Sequence, residues 1–580
     1  MLISCRRIRK SFAGKVILDD IDIDICRGDK IGLVGRNGAG KTTLAKIITG
    51  NIDYDKGSII TTRQEINIGY LPQSIAEPEL YISELGLDTN ISGEFQRLTS
   101  HLGIKRVNEW SGERYKNLSG GEKSKLALAA VWAMQPDLVI MDEPTNHMDY
   151  QGVEYLIEEI RRFLGAAIII SHDRFFLDQT VSQIAEIENG KLRLYTGNYT
   201  SYRETKQKER EKKWHTYQSQ QKEQKKIDAT INKLKGWSEK AHRESRKKGQ
   251  GIGGKEYYRK KAKKRDQAIK SQIKRLEKMR QEGVDRPGED PCLKLNFNAF
   301  VSGSHRLLEA SDISKAYGKL SLFENTSFYI NRGEKVGILG PNGCGKTTLL
   351  KAFLGQEDLD QGNLFVSPSA RIAYVSQELP QVEKKSLTDL IKNWPIVKKK
   401  AIFQLLVGLG ISYDLLQVVM GNLSRGEQMK IAIGLALMGE YDLLVFDEPT
   451  NHLDIFSREA LEESLVKFSA TVILVSHDRY LLDQVCDHML VFEDKKIRRI
   501  PGSVSEYISK KQNMIKKKAY KECIKANNDE EIILLDTKIA RILSELSQIK
   551  PGESRYLELD KEYEKLIKQK QCLKKQSAKS

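Results

Sequence analysis

One eight-residue pattern limits what this chain can fold into, because it occurs twice. Gly35, Arg36, Asn37, Gly38, Ala39, Gly40, Lys41 and Thr42 match G-x-x-x-x-G-K-[ST], and so do Gly340, Pro341, Asn342, Gly343, Cys344, Gly345, Lys346 and Thr347. Each run follows a short apolar stretch, 30–34 or 335–339, and leads into a helical pattern beginning at Thr43 or Thr348. Strand, glycine loop and helix are the context a phosphate cradle requires. Glycines let successive backbone N–H groups converge on an anion, and the helix N-terminus adds its dipole. The lysine reaches the β- and γ-phosphates, and the threonine hydroxyl ligates Mg²⁺. The chain is expected to bind nucleotide at two places.

The surrounding sequence repeats as well. Apolar runs end in Gln73 and near Gln377; an L-S-G-G-E run (Ser119, Gly120, Gly121, Glu122) has a partner at Ser424, Arg425, Gly426 and Glu427. Two further apolar strands run into Asp142-Glu143-Pro144-Thr145-Asn146-His147 and Asp447-Glu448-Pro449-Thr450-Asn451-His452. Ser-His-Asp-Arg follows at 171–174 and 476–479. Ser119 to Asp142 and Ser424 to Asp447 are both 23 positions; Glu143 to His172 and Glu448 to His477 are both 29. A whole α/β domain is therefore duplicated with an offset near 305. The expected division is a first cassette at 1–197, a linker at 198–290, a second cassette at 291–508 and a helical extension at 509–580.

At 580 residues the chain is too long for one core. No apolar run approaches the ~20 residues that span a bilayer, and residues 1–7 lack a signal-peptide core, so a cytoplasmic protein without a membrane partner is expected. Seven scattered cysteines form no C-x-x-C pair and fit reduced thiols. The net charge of +17 is concentrated: residues 201–280 hold 28 Lys and Arg against 10 Asp and Glu, +18, leaving −1 for all the rest.

The ordered set of glycine loop, glutamine, signature serine, D-E-P-T-N-H and S-H-D-R resembles the ATP-binding cassette family over roughly 400 residues. Two cassettes, D-E-P-T-N-H-x-D in both halves and a basic linker resemble its ABC-F subfamily of translation factors. That likeness implies ATP as substrate and Mg²⁺ as cofactor. Asp142 and Asp447 would join Thr42, Thr347, Gln73 and Gln377 around the metal, while Glu143 and Glu448 would orient or deprotonate the attacking water. His172 and His477 would contact the γ-phosphate. Phe12 and Tyr317, each 29 positions before its lysine, would stack on adenine. The family binds ATP head to tail between halves, which pairs Lys41 with Ser424 and Lys346 with Ser119 in a monomeric, intramolecular sandwich. Arg425, where the first half has glycine, departs from the pattern and puts the equivalence of the two sites in question.

The linker reads as two long helices, 199–235 and 255–281, with a narrow seam of Ile227, Ile231 and Leu234 against Ile269, Ile273 and Leu276. Between them a basic tip at about 236–254 carries Trp237, Lys240, His242, Arg243, Arg246, Lys247 and Lys248. So strong a single-sign field suits a polyphosphate partner, and lysine-rich helices without a base-reading motif suit A-form RNA. Within the resembled subfamily this segment enters the ribosomal exit site beside tRNA and large-subunit RNA near the peptidyl-transferase centre. Gln73 to Ser119 spans 46 positions, against 47 from Gln377 to Ser424, leaving no room for the arm insertion of housekeeping members. That points to the antibiotic-resistance group of Vga/Lsa/Vml type, acting against lincosamides, pleuromutilins and streptogramin A. The alternatives are a housekeeping translation factor and the ATPase subunit of a drug exporter. Beyond 509 a 3/4 apolar spacing, broken at Pro551-Gly552, predicts a helical hairpin.

Overall fold

The computed structural model describes residues 1–62, 66–73, 93–101, 104, 118, 120–146, 148, 150–247, 254–281, 305–376, 385–451, 453–547 and 554–579. In the first half, the order is β1 (Ile3–Phe12), β2 (Lys15–Ile25), β3 (Lys30–Gly35), α1 (Lys41–Ile48), β4 (Lys56–Thr61), β5 (Ile68–Leu71), α2 (Gly93–His101) and α3 (Gly120–Ala133). It continues with β6 (Leu138–Asp142), α4 (Tyr150–Arg162), β7 (Ala166–Ile170), α5 (Arg174–Thr180), β8 (Gln183–Glu188) and β9 (Lys191–Thr196). Two helices follow, α6 (Tyr199–Lys247) and α7 (Gly254–Gln281).

The second half runs β10 (Arg306–Tyr317), β11 (Leu320–Asn331), β12 (Lys335–Leu339), α8 (Lys346–Phe353), β13 (Gln361–Val366) and β14 (Ile372–Val375). After α9 (Leu387–Leu390), α10 (Ile396–Gly408) and α11 (Arg425–Met438) come β15 (Leu443–Asp447), α12 (Ile455–Lys467), β16 (Thr471–Val475), α13 (Arg479–Val485), β17 (His488–Glu493) and β18 (Lys496–Pro501). The chain ends in α14 (Val504–Leu546) and α15 (Ser554–Lys579).

Each half holds a six-stranded sheet, ordered β5-β6-β7-β3-β8-β9 and β14-β15-β16-β12-β17-β18. The central strands are parallel, and runs such as Leu138–Asp142, Ala166–Ile170 and Thr471–Val475 are buried at every position. Parallel strands covered on both faces need such unbroken apolar runs. A three-stranded antiparallel sheet, β2-β1-β4 or β11-β10-β13, flanks each. Leu33 and Asp142 both align with Ile170. The glycine loop after β3, the carboxylates after β6 and the histidine after β7 therefore leave the same carboxyl edge of the sheet, where open α/β sheets bind ligands.

The duplication reaches the backbone. Among the described residues, eight of the eleven non-glycine residues with positive φ fall in pairs 305 apart: Arg7 and Asp312, Asp20 and Asn325, Glu143 and Glu448, Asn189 and Asp494. The two α/β cassettes are thus one design used twice.

The linker helices α6 and α7 pack along Ile227, Ile231, Ile269 and Leu276, with Leu234, Ile273 and Met279 beside them. Arg275 reaches Glu223 at 2.8 Å, and Ser238 donates to Asp266 at 2.7 Å. Here the structure corrects the sequence reading. A loop was expected from about 236, but α6 continues unbroken through Gly236 to Lys247. A glycine inside a helix costs only about 1 kcal/mol, and the bridge from Ser238 to α7 holds the next turn.

By contact the chain divides into a large unit, Met1–Val485 with Leu490–Arg499, and a small one, Cys486–Met489 with Ile500–Ser580. In the small unit α14 and α15 form a helical hairpin in which Ile542 and Leu559 are buried and Lys570 pairs with Asp536. Among the described residues no helix is long and apolar enough to cross a membrane.

Candidate functional site

The glycine loops fold as their composition requires. Gly40 and Gly345 sit at φ 101° and 103° as N-caps of α1 and α8. A Cβ on Gly40 would come within 2.8 Å of Ile17 and Leu18, so the position excludes side chains as well as normal φ. Ala39 N–H donates to Arg36 O and Cys344 N–H to Pro341 O, tightening each loop. Lys41 Nζ donates to the carbonyls of Gly35 (2.8 Å) and Arg36 (3.2 Å); Lys346 does the same with Gly340 (2.9 Å) and Pro341 (3.1 Å). Burial pulls the Lys41 ammonium down from its usual pKa.

Beside each loop lies a matched hydroxyl and carboxylate. Thr42 Oγ1 donates to Asp142 at 2.7 Å, and Thr347 to Asp447 at 2.9 Å. Burial raises both carboxyls, opposed by those threonine hydrogen bonds. One hydroxyl and one carboxylate, with other positions left to phosphate oxygens and water, is a donor set that fits Mg²⁺.

Glu143 and Glu448 are held in the left-handed region, at φ 53° and 52°. For a long side chain that conformation is strained, and such strain collects where a group must be aimed. Their amides donate to Ile170 O and Val475 O across the sheet edge. One carboxylate oxygen of each accepts from the backbone N–H of His172 (3.2 Å) or His477 (3.4 Å). The other, Oε1, is buried without a hydrogen-bond partner and lies 3.5 or 3.4 Å from the histidine Nε2. A buried, unsatisfied acceptor is the arrangement that would receive a water molecule. Burial pushes Glu143 up to about 7, against the pull of Arg458, and Glu448 up to about 8. Burial, with the Lys41 and Arg458 charges beside it, holds the His172 imidazole well below its usual pKa, so it is neutral. Such a group donates a hydrogen bond from one nitrogen without carrying charge.

Around Lys346 these parts line a cleft of about 640 Å³. Asn342, Gly343, Thr347, Thr348, Glu448 and His477 come from the second half, and Thr145, Asn146, Met148 and Asp173 from the first. Tyr317 lines it too and is 49% exposed; Phe12, its mate, is 45% exposed. Large aromatic faces left open at strand ends are suited to stacking on a base. Gln73 is exposed just beyond β5. Thr43 is half-buried in α1 and Glu122 is exposed in α3.

Ser424 caps α11 in a capping box: its Oγ accepts from Glu427 N–H, and the Glu427 carboxylate accepts from Ser424 N–H and Oγ–H. Arg425 and Gly426 open the helix, with Arg425 exposed. Ser119 and Gln377 lie outside the described residues, and Gly120 and Gly121 open α3. Among the described residues, Asp454 reaches the first glycine loop from the opposite half, its carboxylate accepting from Asn37 N–H at 3.4 Å. That aspartate is the last letter of D-E-P-T-N-H-x-D, so the motif marked it without revealing its role.

Sequence reasoning also missed the interface between halves. Arg174 pairs with Glu462 at 2.6 Å and lies 3.7 Å from Asp478, its side chain 1% exposed. Arg479 answers with Glu154 at 3.3 Å and sits over Phe175. Both arginines end the S-H-D-R runs, which was the available signal.

On the linker, Trp237 is 55% exposed, and Lys240 and Arg243 face solvent. His242, Arg246 and Lys247 belong to α6, while Lys248 lies outside the described residues.

The sequence profile of the ABC transporter family matches residues 18–146 and 323–451, and a second ABC transporter profile matches 185–250. The chain is 34% identical over 557 residues to the ribosome protection protein VmlR of Bacillus subtilis (strain 168), covering 96% of this chain and 95% of that one. It is 29% identical to ABC transporter F family member 5 of Arabidopsis thaliana over 88% of this chain and 77% of that one. The solved structure of an RNase-L inhibitor superposes with a TM-score of 0.61 at 21% identity, over 88% of this chain and 92% of that one. With one cassette fold used twice and a relative this similar along its whole length, the chain belongs to the ABC-F subfamily of ATP-binding cassette ATPases and is similar to its ribosome protection proteins.

Proposed function

We propose that the chain is a cytoplasmic, monomeric ATPase that protects the ribosome from antibiotics. ATP at both sites holds the cassettes together and carries α6 and α7 into the ribosomal exit site, beside tRNA and the large-subunit RNA near the peptidyl-transferase centre. There the linker displaces a lincosamide, pleuromutilin or streptogramin A. Hydrolysis separates the cassettes and releases the protein. The observation that carries this reading is the +18 confined to 201–280, on a helical pair set between two ATP-binding halves. The similarity to a protein named for ribosome protection supports it.

In this reading Lys41 and Lys346 bind the β- and γ-phosphates, and Phe12 and Tyr317 stack on adenine. Thr42 with Asp142, and Thr347 with Asp447, would hold Mg²⁺, with Gln73 and Gln377 as further ligands beside phosphate oxygens and water. When bound, Mg²⁺ neutralises charge on the phosphate oxygens. Glu143 and Glu448 take the proton of the attacking water, while the neutral His172, and His477 at the second site, hold the γ-phosphate.

The test is Glu143→Gln with Glu448→Gln. Turnover should fall by about 10²–10⁴-fold, ATP binding should persist, and the protein should co-sediment with ribosomes in a salt-sensitive way. Expression of the unaltered gene in a susceptible host should raise the inhibitory concentration of at least one of the three drug classes. Normal turnover in the double variant sinks the catalytic assignment; ribosome binding without any resistance favours a housekeeping role.

A further inference from the structure

Helix α12 differs from its repeat mate α4 at the face turned toward the opposite half. Arg458 and Glu462 occupy positions where α4 has Val153 and Ile157. Arg458 Nη1 donates across the interface to the carbonyl of His172 at 3.1 Å. Its Nε is tied to Leu453 O at 3.2 Å, and the guanidinium lies 3.6 Å from Asp478. Glu462 takes Arg174, two residues after His172, in a buried 2.6 Å ion pair. The 171–174 loop of the first site is thus gripped by one helix of the second half. On α4, Val153 and Ile157 offer no side-chain polar atoms there, and the return grip on 476–479 comes from their neighbour Glu154, which pairs with Arg479 at 3.3 Å.

The residue between them on α12, Glu459, faces elsewhere. Its carboxylate accepts from Tyr199 Oη at 3.0 Å and pairs with Arg203 at 3.1 Å. Both partners lie in the first turns of α6, where Tyr199 and Tyr202 are buried in the core of the first cassette. Tyr202 Oη donates to Glu186 at 2.7 Å, and Lys206 pairs with the same carboxylate at 2.8 Å. The root of the linker is therefore fixed to the first half by its tyrosines and touched by the second half through Glu459.

We propose that α12 is the element that transmits the state of the first ATP site to the linker, with Arg458 and Glu462 reading the 171–174 loop and Glu459 steering the root of α6. Arg458 also lines the cleft around Lys346, while the role proposed for all three is a positioning one, through the loop and the helix they hold. Through α4 the 476–479 run is held by the single Glu154–Arg479 pair, whose carboxylate is 33% exposed, so the root of α6 is tied more heavily to the 171–174 loop than to 476–479. This rests on the two-site ATPase reading above and adds to it the direction in which the two sites are unequal.

The experiment is amide exchange, read by mass spectrometry on the full chain in the Glu143→Gln/Glu448→Gln background, with and without ATP and Mg²⁺. ATP should slow exchange by about fivefold or more both at 171–176 and at 199–206, the scale of a local opening equilibrium. Arg458→Met, which keeps length but loses the donors, should remove the slowing at 199–206 when ATP is saturating. Arg458→Lys, which keeps a donor, should retain it. Glu459→Ala should lose the slowing at 199–206 and keep it at 171–176, an outcome independent of how well Arg458→Met folds. Equal slowing at 199–206 in the Met and Lys variants overturns the proposal, as does slowing at 171–176 that never reaches 199–206 in the parent. Failure of the ATPase reading looks different: the background protein would then hydrolyse ATP at the normal rate.

Discussion

The two halves share a backbone and part company at the surface where they meet. On the first half's side, Arg174 is enclosed by Glu462 and Asp478 and is essentially inaccessible. On the other, Arg479 reaches Glu154, whose side chain is 33% exposed. The same tetrapeptide thus ends in one desolvated ion cluster and one half-wet pair. The lesson is that duplication fixes what ATP chemistry demands, while the residues that speak to the partner half are free to diverge.

The sharpest way to test that contrast is to remove each arginine in turn. Arg174→Ala leaves Glu462 without its counter-ion and Asp478 with Arg458 alone in a closed interface, and should cost about 3–5 kcal/mol. Arg479→Ala gives up a partly solvated pair and its packing on Phe175, about 1–2 kcal/mol. Denaturant titrations of both variants should show this order, and equal losses would erase the asymmetry.

A smaller effect comes from the two buried glutamates. Their folded pKa values, about 7 for Glu143 and about 8 for Glu448, lie above the ordinary 4.5. The folded state holds these protons where the unfolded chain has lost them, so this contribution is full below pH 4.5 and is lost as pH rises through 7 and then 8. The nucleotide-free protein should therefore melt lower at pH 8.5 than at pH 6. Both contributions fall from pH 4.5 upward; Glu143→Gln should remove the one that ends near pH 7 and Glu448→Gln the one that continues to near pH 8. Superimposable profiles for the two single variants would mean the sites are electrostatically alike.

The least effect is expected from Arg425→Gly. Arg425 is exposed at the start of α11, and the cap made by Ser424 and Glu427 does not use its side chain. Stability should change by about 0.5–1 kcal/mol at most, in the direction of glycine's lower helix propensity. Steady-state ATP turnover should stay within about twofold; a larger rise would make Arg425 a second source of inequality between the sites.

Much of this molecule was legible in its sequence. Phosphate binding dictates residue types at fixed spacing, so Lys41, Thr42, Asp142 and Glu143 announced one another and their mates 305 positions on. The linker seam was legible because Ile227 and Ile231 repeat at helical spacing within an otherwise polar stretch. Arg458 and Glu462 were not, because their meaning depends on His172 and Arg174, nearly 290 positions away. Nothing local distinguishes a bridging arginine on α12 from an exposed one. The course of α6 past Gly236 was misread for a related reason: glycine is a local signal for a break, and a contact with α7 overrules it.

That unbroken course has a geometrical consequence. Forty-nine residues at 1.5 Å each make a rod of about 74 Å, so one degree of rotation at Tyr199 becomes about 1.3 Å of travel at the far end. A swivel of about 5°, small enough to arise from the sliding of two side chains past each other, sweeps the tip through about 6 Å, the width of a nucleobase. The same ratio works in reverse. A force met at the tip returns to the root multiplied as torque, so an obstacle tens of ångströms away can be felt where the tyrosines are seated.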